Sequence, residues 1–305
     1  MRFAPLLRAG AEAVLPERAY QYVADEVERA RFNAWARTFR DEHGLEPVKR
    51  RLTVMSYPTP ISTRSTSVLA RLCAILGYRL VSAPSRRFDV LVKFHNATFS
   101  GDAASPFGDI PAINGACNDI SKMRVDREFH TAFGASTLVD PQQHHGSLVE
   151  KPDENAESGR RMVQAPLDPK PGFVYQRLID STTDDGTYIE YRLPIHDGRF
   201  PLVYRKVIDE GTRFEKKATS VTLEDPADHF SASELDGIRT VCRRMGVDFG
   251  EMDVLRDKRD GLPYVLDVND TPEGLLRWVS PPDRARAFAM LAASFQEMCE
   301  SWADR

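Results

Sequence analysis

The feature that most constrains this chain is the run Gly250-Glu251-Met252-Asp253-Val254-Leu255-Arg256, followed by a polar turn over 257–261 and then Tyr264-Val265-Leu266-Asp267-Val268-Asn269. Two stretches of alternating apolar and polar residues joined by a short turn make an antiparallel hairpin, because strand side chains alternate between faces. Asp267 and Asn269, two apart, therefore share one face. A turn with an odd number of residues centred on Asp260 sets Asp253 opposite Asp267 on that face. Three oxygen-bearing side chains so placed suit a hard cation such as magnesium, which takes carboxylate, amide and phosphate oxygens. The same pattern also fits a hairpin whose polar face is merely solvated, and these residues alone leave both readings open.

A chain of 305 residues has room for two or three packed subdomains sharing a cleft. Its net charge of -4 argues against nucleic acid or an acidic membrane as the principal partner. Cys73, Cys117, Cys242 and Cys299 are scattered and form no CxxC pair, which suggests neither a disulfide framework nor a zinc site. No stretch approaches the roughly 18 apolar residues of a membrane span, and the first twenty residues carry no convincing secretory signal. A cytoplasmic protein is the expectation, with no membrane or nucleic-acid partner; a homodimer is compatible with it.

Along the chain, residues 16–43 read as an amphipathic helical arm ended by Gly44 and Pro47. Strand candidates LTVMSY, RLVSA and DVLVKFH, with a helix near 66–76, make a small α/β unit. Its loop 58–64 leaves a strand's C-terminal end, where open α/β sheets commonly place ligands. A helix is expected near 122–133, then the strands SLVEKP and FVYQRLI. YIEYRLPI and FPLVYRKV form a hairpin around Asp197-Gly198. Ser231 and Glu234 are spaced as a capping box for a helix reaching Met245, and 281–302 reads as an amphipathic helix.

Two further groups could carry chemistry. Lys151 ends an apolar strand before a polar loop, where its ammonium could reach a phosphate or simply extend to water. Gln176-Arg177-Leu178-Ile179, Glu190-Tyr191-Arg192 and Tyr204-Arg205-Lys206 place cations beside a carboxylate on strands. Such a set could hold phosphate and ribose, or form exposed salt bridges.

In this order the features resemble the ATP-grasp superfamily over roughly 114–274, in particular its carboxylate–amine ligases such as glutathione synthetases, D-alanine–D-alanine ligases and ribosomal-protein glutamate ligases. The resemblance implies an α+β ATP-grasp fold with a small N-terminal α/β domain at 50–115, behind a helical arm at 1–49. The ATP-grasp domain would run over 116–305 in two subdomains, 116–180 and 181–305. It implies ATP and one or two Mg2+ ions as cofactors. Lys122, after Ile113-Asn114, and Lys151, in Lys151-Pro152, match the two nucleotide-binding lysines. Gln176, Arg177, Leu178 and Ile179 match the adenine hinge, and Glu190 matches the ribose acceptor. Arg192 is similar to the arginine at the transferred phosphoryl group and Arg205 to a further phosphate- or substrate-binding arginine. Asp253, Asp267 and Asn269 become the metal ligands. The reaction implied is ADP-forming: a small amino-acid-like carboxylate becomes an acyl phosphate, which an amine attacks.

Three departures stand out. The central metal carboxylate is Asp267 where the family usually has Glu. The phosphate-covering loop PDENAESG offers only Gly159. Glu273 interrupts the usual Asn-x-x-Pro-Gly. The Asp-x-Asn run also resembles the inositol-phosphate kinases of the same fold, although an acidic chain lacks their dense basic patch. A non-catalytic nucleotide-binding protein is the third alternative. Two sequence expectations complete the reading: a lid over 208–221, and an acceptor carboxylate held between loop 58–64, with Arg64, and the pair Arg192 and Arg205.

Overall fold

The computed structural model describes residues 30, 33–45, 48, 50–59, 61, 67–82, 87–100, 107–155, 159–212, 218–273 and 279–305. Most of the expected arm, most of loop 58–64, Arg213, Lys216 and Lys217 therefore lie outside the described residues; of the arm, 33–43 is helical.

Apolar strands β1 (Thr53–Pro58), β2 (Arg79–Ser82), β3 (Val90–Phe94) and β4 (Ala112–Ile113) form a parallel sheet in the order β2-β1-β3-β4. Every residue of β3 is buried, as expected of a strand covered on both faces. The crossover helix α1 (Val68–Leu76) begins at Ser67, whose hydroxyl accepts from the Ala70 amide. It ends at Gly77, where a φ of 71° suits glycine.

The next sheet is small and antiparallel, in the order β6-β5-β7, built from β5 (Gly146–Pro152), β6 (Arg161–Ala165) and β7 (Phe173–Arg177). Helix α2 (Lys122–Phe133) precedes it, with the predicted bounds and an N-cap at Ser121. The third sheet is antiparallel and five-stranded, in the order β10-β9-β8-β11-β12. Its strands are β8 (Tyr188–His196), β9 (Val203–Ile208), β10 (Ser220–Glu224), β11 (Phe249–Arg256) and β12 (Pro263–Asn269). Positive φ angles at Asp197 and Gly198, 49° and 76°, make the predicted turn between β8 and β9. Helix α3 (Ala232–Met245) starts with the full reciprocal capping box of Ser231 and Glu234. Helix α4 (Pro281–Ala303) closes the described chain.

A parallel unit followed by antiparallel sheets with segregated helices is an α+β fold. Two cores divide the large sheet's faces. Leu193, Val203, Met252 and Val254 pack with Phe129 of α2 and Val241 of α3. On the other side, Phe249 and Tyr204 join α1, the first sheet and Phe288, Leu291 and Phe295 of α4. Strands β6 and β10 were absent from the sequence reading. β6 is an edge strand with little buried surface, whereas Val221 and Leu223 of β10 do alternate with polar residues. All four cysteines are free and buried.

Candidate active site

The hairpin of β11 and β12 brings the predicted oxygen ligands together: Asp253 pairs with Asp267 and Glu251 with Asn269. The route to that register differs from the expected odd turn. Near the turn, Val254 pairs with Val265, so Leu266 has no opposite number and the ladder shifts beside Asp253. This β-bulge, not the turn, sets the two aspartates face to face.

β8 supplies the counter-charge. Arg192 pairs with Asp253 in the ladder, and its guanidinium donates to both oxygens of that carboxylate, Nε to Oδ1 at 2.7 Å and Nη2 to Oδ2 at 2.8 Å. Its third nitrogen reaches Glu251 at 3.1 Å. Burial would raise the Asp253 carboxyl, but Arg192 and the Lys206 ammonium, 3.8 Å away, outweigh it and hold it well below the usual carboxylate range. Asp267 goes the other way. Burial and the neighbouring Asp253 raise it against the pull of Lys122 and Lys151, and its Oδ1 is buried without a hydrogen-bond partner.

Two lysines from outside the hairpin act on Asp267. Lys151, at the end of β5, is buried, and desolvation lowers its ammonium to about 8, partly offset by Asp267. Lys122 Nζ donates to the carbonyls of Asp153 and Glu154 at 3.3 and 3.0 Å and to Asn155 Oδ1 at 3.1 Å. It thus braces the loop leaving β5 while its charge acts on Asp267.

Between the small and large sheets lies a cleft of about 560 Å³, open solvent included, lined by Lys151, Gln176, Arg177, Leu178, Ile179 and Glu190. Val149, Leu255 and the bulged Leu266 supply apolar wall. The Gln176 side chain turns inward to Thr137 Oγ1, 2.9 Å away. Glu190 is ion-paired with Lys206, its ladder partner.

Arg205 is the predicted residue that the fold does not bring to this face. It pairs with Tyr191 and Thr222, whereas Arg192 pairs with Tyr204. Neighbouring residues on a strand point to opposite faces, so Arg205 lies behind the sheet with Tyr191 and Glu224, and Lys206 is the cation on the cleft side. Lys206 belongs to the cationic run Tyr204-Arg205-Lys206, in which Arg205 is the residue expected at the site; Glu251 and cleft-lining Arg160 carry no expectation. For Glu251 the signal was present, two residues before Asp253 and so on the same face.

The donor set fits magnesium in kind. Among the described residues no three His, Cys, Asp or Glu side chains converge as a metal nest. A cation here would rest on Asp267, whose buried oxygen is unspent, on Asp253 and Asn269, and on oxygens brought by substrate. Asn269 Oδ1 now accepts from the Thr271 amide and hydroxyl at 2.9 and 3.0 Å, and as a ligand would give up the hydroxyl.

No family profile matches the sequence, and no curated protein is similar to it in sequence. Solved structures similar to this chain include the D-alanine–D-alanine ligase from Bacillus anthracis complexed with ATP, at 14% identity and a TM-score of 0.49, covering 84% of this chain and 99% of that one. The D-cycloserine synthetase DcsG is similar at 14% identity and a TM-score of 0.45, over 80% of this chain and 99% of the other. The ATP-grasp ligase PsnB, complexed with a phosphomimetic precursor variant, Mg and ADP, is similar at 13% identity and a TM-score of 0.49, over 79% and 97%.

Proposed function

We propose that this protein is an ATP- and magnesium-dependent ligase of the ATP-grasp type, which activates a small carboxylate for attack by an amine and releases ADP. One observation carries the reading: Lys151 lines a cleft with an apolar slot between Val149, Leu178, Leu255 and Leu266, and also belongs to the charged group in which Asp253 and Asp267 meet Lys122 and Arg192. A flat base suits the first part and a polyphosphate with its cation the second.

In this reading the Gln176–Ile179 segment and the apolar wall hold the adenine, and Glu190 takes the ribose hydroxyls, exchanging its bond to Lys206. Lys151 and Lys122 neutralise phosphate oxygens. Asp267, Asp253 and Asn269 would hold magnesium, which when bound supplies charge neutralisation at the phosphates. Arg192, kept charged by Asp253 and Glu251, faces the transferred group. A carboxylate oxygen attacks the γ-phosphorus and ADP leaves with the bonding pair. The amine then attacks the acyl carbon, phosphate departs, and the amine's proton is lost to solvent.

Incubation with ATP, magnesium and pools of amino acids, read by ADP release and product mass, tests the reading. A mass gain equal to condensation is the expected result; a phosphorylated product would mean a kinase. Asp267→Asn should reduce turnover by at least a hundredfold with the fold intact, because a ligand charge is lost at nearly constant volume. Turnover equal to the parent's would remove Asp267 from the site.

A further inference from the structure

The turn joining β11 to β12 does more than connect two strands, for it grips three residues where the chain leaves β7: Arg177, Leu178 and Asp180. Arg259 Nη2 donates to the carbonyl of Leu178 at 2.6 Å, and the Lys258 amide donates to the carbonyl of Asp180 at 2.7 Å. Arg177 Nη2 lies 3.0 Å from Asp260 Oδ2, with its guanidinium 4.4 Å above the Tyr264 ring, and the Tyr264 hydroxyl donates to the same Asp260 oxygen at 2.8 Å. Asp257, wholly buried, anchors the grip: it accepts from Arg259 Nε at 3.0 Å and Nη2 at 2.7 Å. The Arg259 side chain is itself 56% exposed, so it fills no core and its contacts are directional.

Leu178 and Ile179 wall the cleft. Because a peptide unit is planar, a Leu178 carbonyl held towards Arg259 also sets the direction of the peptide shared with Ile179. A purine edge is read by such backbone groups. Adenine offers a donor at its 6-position and an acceptor at ring nitrogen 1, and guanine offers the reverse. A peptide free to rotate accommodates both, whereas a pinned one leaves an unpaired polar group against the wrong base.

We propose that Arg259 is a positioning residue that sets base selectivity, pinning the Leu178–Ile179 peptide so that the cleft prefers adenine over guanine nucleotides. The inference rests on the nucleotide reading above and deepens it.

The test uses the full-length protein with the non-hydrolysable analogues AMPPNP and GMPPNP, binding being measured by calorimetry. The parent should prefer the adenine analogue at least tenfold. Arg259→Lys keeps a positive charge beside Asp257 but loses the planar fork, and should reduce that preference at least fivefold, with kcat at saturating ATP within twofold of the parent. The double variant Asp257→Asn with Arg259→Met leaves no buried charge unpaired and should lose the preference likewise. Preferences unchanged from the parent in both variants, or a parent that does not discriminate, overturn the clamp and leave the nucleotide reading in place. A parent that binds neither analogue overturns the nucleotide reading and the clamp with it.

Discussion

His196 ends β8 with its ring centroid 5.2 Å from that of Phe249 and 6.0 Å from that of Phe295, buried in an apolar setting. Burial lowers its imidazole to about 3, and the Arg199 charge adds to the effect. The folded state therefore keeps His196 neutral while the unfolded chain protonates it near 6.5, so its contribution is present above pH 6.5 and is lost as pH falls towards 3. At pH 4 the loss is about 3 kcal/mol by linkage. Denaturant unfolding at pH 7 and pH 4 should show His196→Phe losing less stability on acidification than the parent; an equal loss would exclude His196 as a source. Other residues differ in how openly the sequence announces them. Asp267 and Asn269 were legible because strand parity is a local property, whereas the place of Asp253 opposite Asp267 depends on the pairing of two strands and on the bulge beside it. Arg205 and Lys206 were not separable, since the choice between adjacent residues depends on how β8 and β9 register, and no local pattern encodes that.

Helices α2 and α3 were both legible in the sequence, α3 from its capping box at Ser231 and Glu234, and in the structure Ser121 caps α2 as well. Their mutual packing was not, and it turns on Gly237. A Cβ there would lie 2.4 Å from Phe133 Cζ, well inside contact distance, while Phe133 stacks on Phe129 with centroids 4.6 Å apart. Gly237→Ala gains about 1 kcal/mol of helix propensity but meets an overpacking penalty of about 1–3 kcal/mol. A net loss of about 1 kcal/mol is expected, read as a fall of roughly 2–4 °C in melting temperature. A melting point at or above the parent's would mean the Phe133 ring moves aside. The bulge at Leu266 is a similar case. The hairpin was legible, but a one-residue irregularity inside an alternating run leaves no mark on hydrophobic pattern, and it gave the predicted facing pair by a different route.

At the scale of the whole molecule, α4 joins what the order of the chain separates. Phe295 of α4 lies 5.4 Å, centroid to centroid, from Phe249 of β11 and belongs to the same core as Val54 of β1 and Leu72 of α1. Phe295→Ala should cost about 3–5 kcal/mol. That loss should show as a lower denaturant midpoint with an unchanged m-value, and a midpoint within error of the parent's would place the core elsewhere. The helix was visible in the sequence as an amphipathic run, but its partner strand was not, because such a pattern states that a face is buried and not against what.

The same arrangement governs how the protein is made. About 190 residues separate the end of β3 from the start of α4, so at roughly 5–20 residues per second a ribosome needs on the order of 10–40 s to deliver the helix that covers α1. Throughout that interval the core shared by Leu69, Leu72 and Ile75 lacks the apolar residues that α4 supplies, so slower translation prolongs the time that this core stays incomplete.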